Sequence, residues 1–172
     1  LVFSFFIRFF YFDINSTVWW DEAEYLSTAK HWLLHVPYDI NPQRPVLFPL
    51  LESVILFLGG GEVLMKFLLL LLPSTGVVFL SYLIGNRFYN KNFGFMAASL
   101  MGVFWLLLFN TTRLHVEALF LFLVSLSILY FWKGFMEGNN KYKLLAGLFF
   151  GLSFLTKFTA ALTIISILLF LF

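Results

Sequence analysis

Long apolar runs separated by short polar stretches fill most of this sequence, and they constrain its fold more than any other feature. Of its 172 residues, 61% are hydrophobic and only 12% are charged, and Phe alone occurs 25 times. An apolar run of about 20 residues is long enough to cross a bilayer as a helix. The pattern excludes a water-soluble core and predicts an all-α, polytopic transmembrane helical bundle.

The sequence contains no Cys, so it offers no disulfide framework, no thiolate nucleophile and no thiolate metal ligand. It begins at Leu1 rather than at Met and ends within the apolar run 163–172. We therefore expect residues 1–172 to be a fragment of a longer protein, cut at both ends.

The few charges are concentrated in one stretch, residues 13–45, which holds two His, three Pro and about half of the nine acids. We interpret this stretch as an extramembrane loop. Ser16 or Thr17 is predicted to cap a helix over residues 21–34. The apolar contacts of that helix are predicted to come from Trp20, Ala23, Ala29 and Trp32.

The remaining runs are assigned by length. Residues 1–12 cover about 18 Å as a helix, so they are interpreted as the exit half of a first span, with Arg8 snorkelling to the interface. Residues 46–58 reach about 20 Å and contain Pro49 and Glu52, so they are predicted to lie along the interface. The predicted spans are residues 62–84, with a kink at Pro73, and residues 93–109, 118–132 and 144–156.

Basic residues set the predicted orientation. Loops 85–92 and 133–143 carry the excess of Lys and Arg, so both are predicted to be cytoplasmic. If residues 46–58 do not cross, the acidic loop 13–45 and the polar turn 110–117 both fall outside. The sequence thus predicts an integral protein of the plasma membrane with its acidic loop on the external side.

Three carboxylates crowd into four positions, at Asp21, Glu22 and Glu24. On a helix Asp21 and Glu24 share a face, whereas Glu22 points about 100° away. A carboxylate held against apolar surface accepts a proton more readily, which suits a general base acting on a hydroxyl. The alternative is a solvated helix start, where acids are favoured by the helix dipole.

Cations are predicted to converge on the same face as these acids. Arg44 closes the acidic loop, and Arg113 and Lys157 lie at the outer ends of their helices. Three such cations suit a phosphate leaving group, whereas interfacial snorkelling is the alternative for Arg113 and Lys157. Glu117 opens an apolar helix, where it either serves the helix dipole or faces the bundle and binds a metal or an acceptor.

His31 and His35 are four residues apart, which is the spacing of a metal pair on a helix. The carboxylate that such a motif requires is missing between them. Packing of an amphipathic helix is therefore the better interpretation, and no metal ligand set is assigned.

Four stretches occur in an order and spacing that resemble one enzyme class. They are Asp21-Glu22-Ala23-Glu24-Tyr25, Arg44-Pro45-Val46-Leu47-Phe48-Pro49, Thr112-Arg113-Leu114-His115-Val116-Glu117-Ala118 and Gly151-Leu152-Ser153-Phe154-Leu155-Thr156-Lys157. This order is similar to the N-terminal module of polytopic GT-C glycosyltransferases, which include protein O-mannosyltransferases and the bacterial aminoarabinose transferases that modify lipid A. The resemblance covers nearly the whole chain.

The resemblance implies a membrane glycosyltransferase that moves a sugar from a polyprenyl-phosphate donor to a hydroxyl of a lipid, glycan or protein, with inversion of the anomeric centre. The chain would be the N-terminal part of that module and inactive by itself, and residues 46–58 would be its juxtamembrane helix. Arg44 stands where the family usually has Lys or His before a Pro-Pro pair, and Val46 replaces the second Pro.

Under this resemblance each candidate residue receives a role. Asp21 and Glu22 are the catalytic candidates, and Glu24 and Glu117 are candidates for the acceptor or for a metal. The donor-phosphate candidates are Arg44, Lys157 and Arg113. A divalent metal is left open as a cofactor, and the expected partners are the lipid-linked donor, the acceptor and membrane lipids, without nucleic acid.

Two other functions remain open from the residues themselves. A polytopic transporter also lines its pathway with acids and cations, and a non-catalytic membrane assembly subunit would keep the same helices. An inverted repeat would favour the transporter, and the sequence shows none.

Overall fold

Helices form throughout the part of the chain that the computed structural model describes, residues 1–15, 17–163 and 165–166, and this part contains no strand. Predictions for Ser16 and for most of the last apolar run lie outside the described residues. The helices are α1 (Val2–Tyr11), α2 (Trp20–Leu34), α3 (Leu47–Phe57), α4 (Glu62–Phe88), α5 (Lys91–Val103), α6 (Trp105–Thr111), α7 (Glu117–Met136) and α8 (Asn140–Thr156), with a 3₁₀ turn at Phe158–Ala160. This architecture is the predicted all-α membrane bundle.

Among the described residues, two helices are long and apolar enough to cross a membrane by themselves, α4 with 27 residues and α7 with 20. A third span results if α5 and α6 are counted together, although they are bent by 53°. The predicted span 93–109 corresponds to this bent pair, which together is long and apolar enough to cross. Its break lies at Phe104, where the backbone is extended, with φ −62° and ψ 112°.

Arg8 explains how this break is tolerated. Its side chain is buried, and the guanidinium donates to the carbonyl oxygens of Gly102 (3.1 Å) and Met101 (3.2 Å). At the end of a helix such carbonyls have no intrahelical partner, so a buried cation satisfies them. The prediction that Arg8 snorkels to the interface is wrong, because the end of α5 provides acceptors inside the protein.

Ahead of Pro73, where the sequence predicts a kink, the helix instead has a widened turn and continues as one helix. A π-helical segment, Lys66–Leu71, precedes the proline, and the helix then continues to Phe88. Proline lacks an N–H and clashes with the carbonyl group four residues earlier, and a wider turn relieves both problems. The predicted loop 85–92 is consequently reduced to Tyr89 and Asn90.

Helix α8 differs from its prediction. It has 17 residues, about 25 Å, and begins with a turn that contains Lys141 and Lys143. It is not among the helices that meet the length and hydropathy required to cross alone, so residues 144–156 are not shown to be a span. At Lys157 the backbone becomes extended and the helix ends.

The core lies where α3, α4 and α7 meet. Phe48 from α3, Met65 and Leu70 from α4, and Leu119 from α7 are buried there together. Helix α7 packs against both α4 and α8, and α2 covers α3. With 11 residues α3 is about 16 Å long, too short to cross a bilayer, in agreement with the prediction that residues 46–58 do not span.

The two ends of the bundle carry different loops. At one end Arg87 Nη2, in the last turn of α4, lies 3.3 Å from Glu137 Oε1, so the two segments with the basic excess meet. At the opposite end of α7, Asn15 Nδ2 donates to Thr112 Oγ1 at 2.6 Å and joins the acidic loop to the turn before α7. This separation agrees with the charge pattern of the sequence, and the side of the membrane on which each end lies stays a prediction.

Candidate functional site

Helix α2 carries the three acids at its start, and one of them caps it. Trp19 is the N-cap residue, and its N–H donates to Glu22 Oε2 at 2.8 Å. A glutamate at the third helical position can reach back in this way and satisfy an N–H that the helix leaves free. The predicted cap at Thr17 is therefore wrong, because the helix begins at Trp20 and its N-cap residue is Trp19.

The buried face of α2 also differs from the prediction. Glu22, Tyr25 and Ala29 are buried, whereas Trp20 is 79% exposed and Ala23 is exposed. The ring of Tyr25 lies edge-on to Phe48 of α3, with 5.5 Å between centroids. This aromatic contact turns the side of α2 that carries Asp21 and Glu24 towards the end of α8.

Arg44 holds Asp21 and Glu24 together, as their shared helix face predicts. Its Nε donates to Glu24 Oε2 at 2.5 Å, and its Nη2 donates to Asp21 Oδ1. A turn at Asn41 positions it, with the N–H of Arg44 3.1 Å from the Asn41 carbonyl oxygen. Burial acts to lower the pKa of Arg44, but the hydrogen bonds to Asp21 and Glu24, with the charges of Tyr25 and Asp21, prevail and raise it.

A second charged cluster lies across from the first. His115 Nδ1 lies 2.8 Å from Glu117 Oε2, and Lys157 Nζ donates to Glu117 Oε1, also at 2.8 Å. The hydrogen bond to Glu117 raises the pKa of His115, aided by the charges of Glu117, Asp21 and Glu22, while burial acts against this rise. Glu117 thus pairs with two basic side chains, His115 from the turn before α7 and Lys157 from the end of α8.

The two clusters face one cavity of about 250 Å³. Its charged lining consists of Asp21, Arg44, His115, Glu117 and Lys157. His115 Nε2 lies 3.9 Å from Asp21 Oδ2, which is the shortest ion-pair distance recorded between the clusters. The structure therefore brings four predicted site residues to one space, and Glu24 adjoins them through Arg44.

Glu22 and Arg113 lie behind the cavity rather than in its lining. The Arg113 guanidinium stacks on the indole of Trp19, with Cζ 3.8 Å from the ring centroid, and Nη1 donates to the carbonyl oxygen of Thr17 at 3.0 Å. Arg113 Nη1 is 3.8 Å from Glu22 Oε1, and both side chains are nearly fully buried. The functional roles assigned to these two residues stay predictions.

His115 is the cavity residue that sequence reasoning left without a role. The only signal was its place in a polar turn, two residues before Glu117. Sequence cannot show that its ring reaches both Glu117 and the first turn of α2, because that depends on the tight turn in which the His115 N–H lies 2.6 Å from the Arg113 carbonyl oxygen.

Within the described ranges, no group of three or more His, Asp and Glu side chains is placed to hold a metal ion. His31 Nδ1 contacts the carbonyl oxygen of Val36 at 2.8 Å, and His35 ends α2 in the left-handed conformation with φ 53°. The i, i+4 histidines therefore both lie at the C-terminal end of their helix.

Comparison with known proteins identifies the family. The family model described as dolichyl-phosphate-mannose-protein mannosyltransferase matches residues 43–172, which is more than half of the chain. No curated protein and no solved structure matches. The matched region includes Arg44, Glu117 and Lys157, whereas α2 with its three acids precedes it. The chain belongs to this family of membrane glycosyltransferases.

Proposed function

We propose that this member of the mannosyltransferase family transfers a sugar from a polyprenyl-phosphate donor to an acceptor hydroxyl at the external membrane face. The observation that carries the proposal is the shared cavity, in which the carboxylate of Asp21 and the cations Arg44 and Lys157 face one space. A base and phosphate-binding cations are the two components that such a transfer requires. The family match supports this function over a transporter.

Asp21 is the base in this proposal. Its Oδ1 is held by Arg44, which leaves Oδ2 directed towards the cavity and His115. The acceptor oxygen forms the new bond to the anomeric carbon as its proton passes to Asp21. The bond from that carbon to the phosphate oxygen breaks, and its electron pair leaves on the polyprenyl phosphate. One displacement of this kind inverts the anomeric centre.

Arg44 and Lys157 stabilise the departing phosphate. Both side chains are about one-third exposed, so they are open to a ligand, yet each is already paired with a carboxylate. Cations that are held in place in this way stabilise the negative charge that develops on the phosphate in the transition state. Glu24 and Glu117 hold these cations in place and are the nearest further groups for contacts with the acceptor.

Glu22 helps to position Asp21, because its carboxylate accepts the Trp19 N–H and so holds the first turn of α2 in place. A direct phosphate contact by Arg113 stays a prediction, because its guanidinium is stacked on Trp19 behind the cavity. The external location rests on the charge bias, which favours a cytoplasmic position for the end of the bundle that contains Arg87 and Lys141.

The experiment that tests this function is transfer of a radiolabelled sugar by the purified full-length protein in nanodiscs. The donor series begins with mannose, because the family description names it. We expect sugar transfer with release of polyprenyl phosphate, and we expect the same rate from Glu137→Gln, a control at the opposite end of the bundle. Failure of a folded protein to transfer any sugar in the series to lipid, glycan or peptide acceptors would contradict the proposal.

A further inference from the structure

We propose that His115 is a phosphate-binding residue of this site, and that its Nε2 and the Lys157 ammonium together receive the phosphate of the lipid-linked donor. The inference rests on the proposed function, since it names the side of the cavity that holds the phosphate. It adds a residue that lies in the turn between α6 and α7, outside the acid and cation set recognised from sequence.

The charges divide the cavity into two unlike halves. On the α2 side, Asp21 and Glu24 share the single cation Arg44, so this half has a net charge of −1. On the other side, one carboxylate, Glu117, lies between Lys157 and His115. With His115 protonated, this half has a net charge of +1, and an anion is favoured here rather than beside the two acids.

The contacts of His115 fix which ring nitrogen is available. Nδ1 is engaged by Glu117 at 2.8 Å, which sets the orientation of the ring. Nε2 lies 3.9 Å from Asp21 Oδ2, too far for a hydrogen bond, so it is open to a ligand in the cavity. The ring stands perpendicular to Trp19, with 6.3 Å between centroids, and this contact limits its rotation.

The charged groups around the ring favour its protonated form. Asp21 and Glu22 approach it from α2, and Glu117 approaches it from α7. Arg44 and Lys157 are the cations of the same cavity, and both are neutralised by carboxylates. A protonated ring with Nδ1 directed at Glu117 presents an N–H from Nε2 towards the cavity, which is the geometry that a phosphate oxygen requires.

This arrangement also orders the reaction. The phosphate lies on the side of His115 and Lys157, the acceptor hydroxyl lies beside Asp21, and the anomeric carbon lies between them. Attacking and leaving oxygens on opposite sides of the carbon are what a single displacement needs. Arg44, which lies on the Asp21 side, fixes Asp21 and also adds its charge to the stabilisation of the departing phosphate.

Two substitutions distinguish the contribution of Nδ1 from that of Nε2. His115→Asn places an amide nitrogen near the position of Nδ1, so it keeps the contact with Glu117 and loses the donor that faces the cavity. His115→Gln places its amide nitrogen near the position of Nε2 and keeps that donor without the charge. The matched control is His31→Gln, at a second histidine, whose ring contacts the carbonyl oxygen of Val36 at the far end of α2.

The measurement is the affinity of the full-length protein for polyprenyl phosphate without sugar, in nanodiscs of neutral lipid. We expect His115→Asn to weaken binding roughly ten- to hundredfold, the range for a charge-assisted hydrogen bond. His115→Gln should lose less than about tenfold, since it keeps a neutral donor. His31→Gln should bind like the wild type. A parallel arm with inorganic phosphate as competitor shows whether the headgroup alone is recognised.

Wild-type affinity in His115→Asn would overturn the inference, and so would weaker binding by His115→Gln than by His115→Asn. In both cases binding of polyprenyl phosphate by the wild type would leave the proposed function standing. If the wild type itself does not bind polyprenyl phosphate, the proposed function fails as well. Each variant is first checked for a single symmetric peak in size-exclusion chromatography.

Discussion

Lys157 Nζ donates to Glu117 Oε1 at 2.8 Å, although 40 residues separate the two along the chain. Glu117 begins α7, and Lys157 follows the last residue of the antiparallel helix α8, where the backbone leaves the helix. The pair therefore joins the two helices at the end where the cavity lies. It also keeps a cation beside the cavity in the absence of a ligand.

The first prediction concerns this cation. Lys157→Met keeps most of the apolar stem and removes the charge, so donor affinity and turnover should both fall, each by roughly tenfold or more. A cation held against phosphate acts in the ground state and in the transition state alike, which is why both quantities change. Steady-state kinetics and donor binding on the full-length enzyme measure the effect.

Lys141→Met is the matched control. Lys141 is an exposed lysine in the first turn of α8, at the opposite end of the helix from Lys157. It should leave both quantities unchanged. A Lys157→Met enzyme with normal donor affinity would remove Lys157 from the phosphate site.

The second prediction concerns Arg113, whose guanidinium stacks on Trp19 and adjoins the buried Glu22. Arg113→Lys keeps the charge beside Glu22 but loses the planar stack on Trp19, so the free energy of unfolding should fall by about 2 kcal/mol, the value of a desolvated cation–π contact. Thermal unfolding in detergent measures this change. Arg87→Lys alters an exposed pair with Glu137 and should change stability by no more than about 1 kcal/mol.

A different outcome would support the donor-phosphate contact that the sequence predicts for Arg113. If Arg113→Lys unfolds like the wild type and yet loses donor affinity, Arg113 contacts the phosphate directly, and the stacked arrangement does not represent the working state.

The third prediction concerns Glu52, which is fully buried in α3 and whose two carboxylate oxygens have no hydrogen-bond partner among the described residues. Burial raises the pKa of Glu52 well above its ordinary value, and the charge of Glu62 adds to this effect. Replacement of a buried, unsatisfied polar group by an apolar one removes a desolvation cost. Glu52→Leu should therefore raise the free energy of unfolding by about 1 to 3 kcal/mol.

The pH dependence of stability follows with a definite sign. Above about pH 4.5 the carboxyl group ionises in the unfolded chain while the folded state keeps its proton, so stability falls as pH rises towards the raised pKa of the folded state. Glu52→Gln cannot titrate and should lose this slope without the full gain in stability. The measurement is the difference between the unfolding temperatures of the wild type and Glu52→Gln at each pH. A difference that increases as pH rises above about 4.5 would contradict the account.

The sequence predicted those parts of the fold that depend on composition and length. Helices α4 and α7 correspond to long apolar runs, and the convergence of Asp21, Arg44 and Lys157 followed from the topology that the charge bias implies. The break at Phe104 was not predictable from the sequence. It is stabilised by contacts of Arg8 with Met101 and Gly102, which lie 93 and 94 positions further along the chain.

Side-chain direction accounts for most of the remaining differences. A capping role for Glu22 and a stacked position for Arg113 depend on rotamers that residue spacing does not determine. The bridging position of His115 likewise needs the tight turn at Arg113. Sequence thus indicated which residues meet, whereas the contacts between them came from the packing of Trp19 and Tyr25 against the bundle.

The fourth prediction concerns topology, and the lack of Cys makes it directly testable. Trp20, at the start of α2, is 79% exposed, and Glu137 lies at the opposite end of the bundle. A membrane-impermeant maleimide should label Trp20→Cys in intact cells and Glu137→Cys only after permeabilisation. Labelling of both variants from one side would contradict the separation of the two ends across the membrane.

The central claim is that the carboxylate of Asp21 takes the acceptor proton, and Asp21→Asn in the full-length enzyme tests it most directly. The amide keeps the shape of the side chain but cannot accept that proton, so turnover should fall by roughly two to four orders of magnitude. Binding of the lipid-linked donor should change far less. Asp39→Asn, at an exposed carboxylate of the same acidic loop outside the cavity lining, is the matched control and should leave turnover unchanged. Near-normal turnover by a folded Asp21→Asn enzyme that binds its donor would contradict the claim.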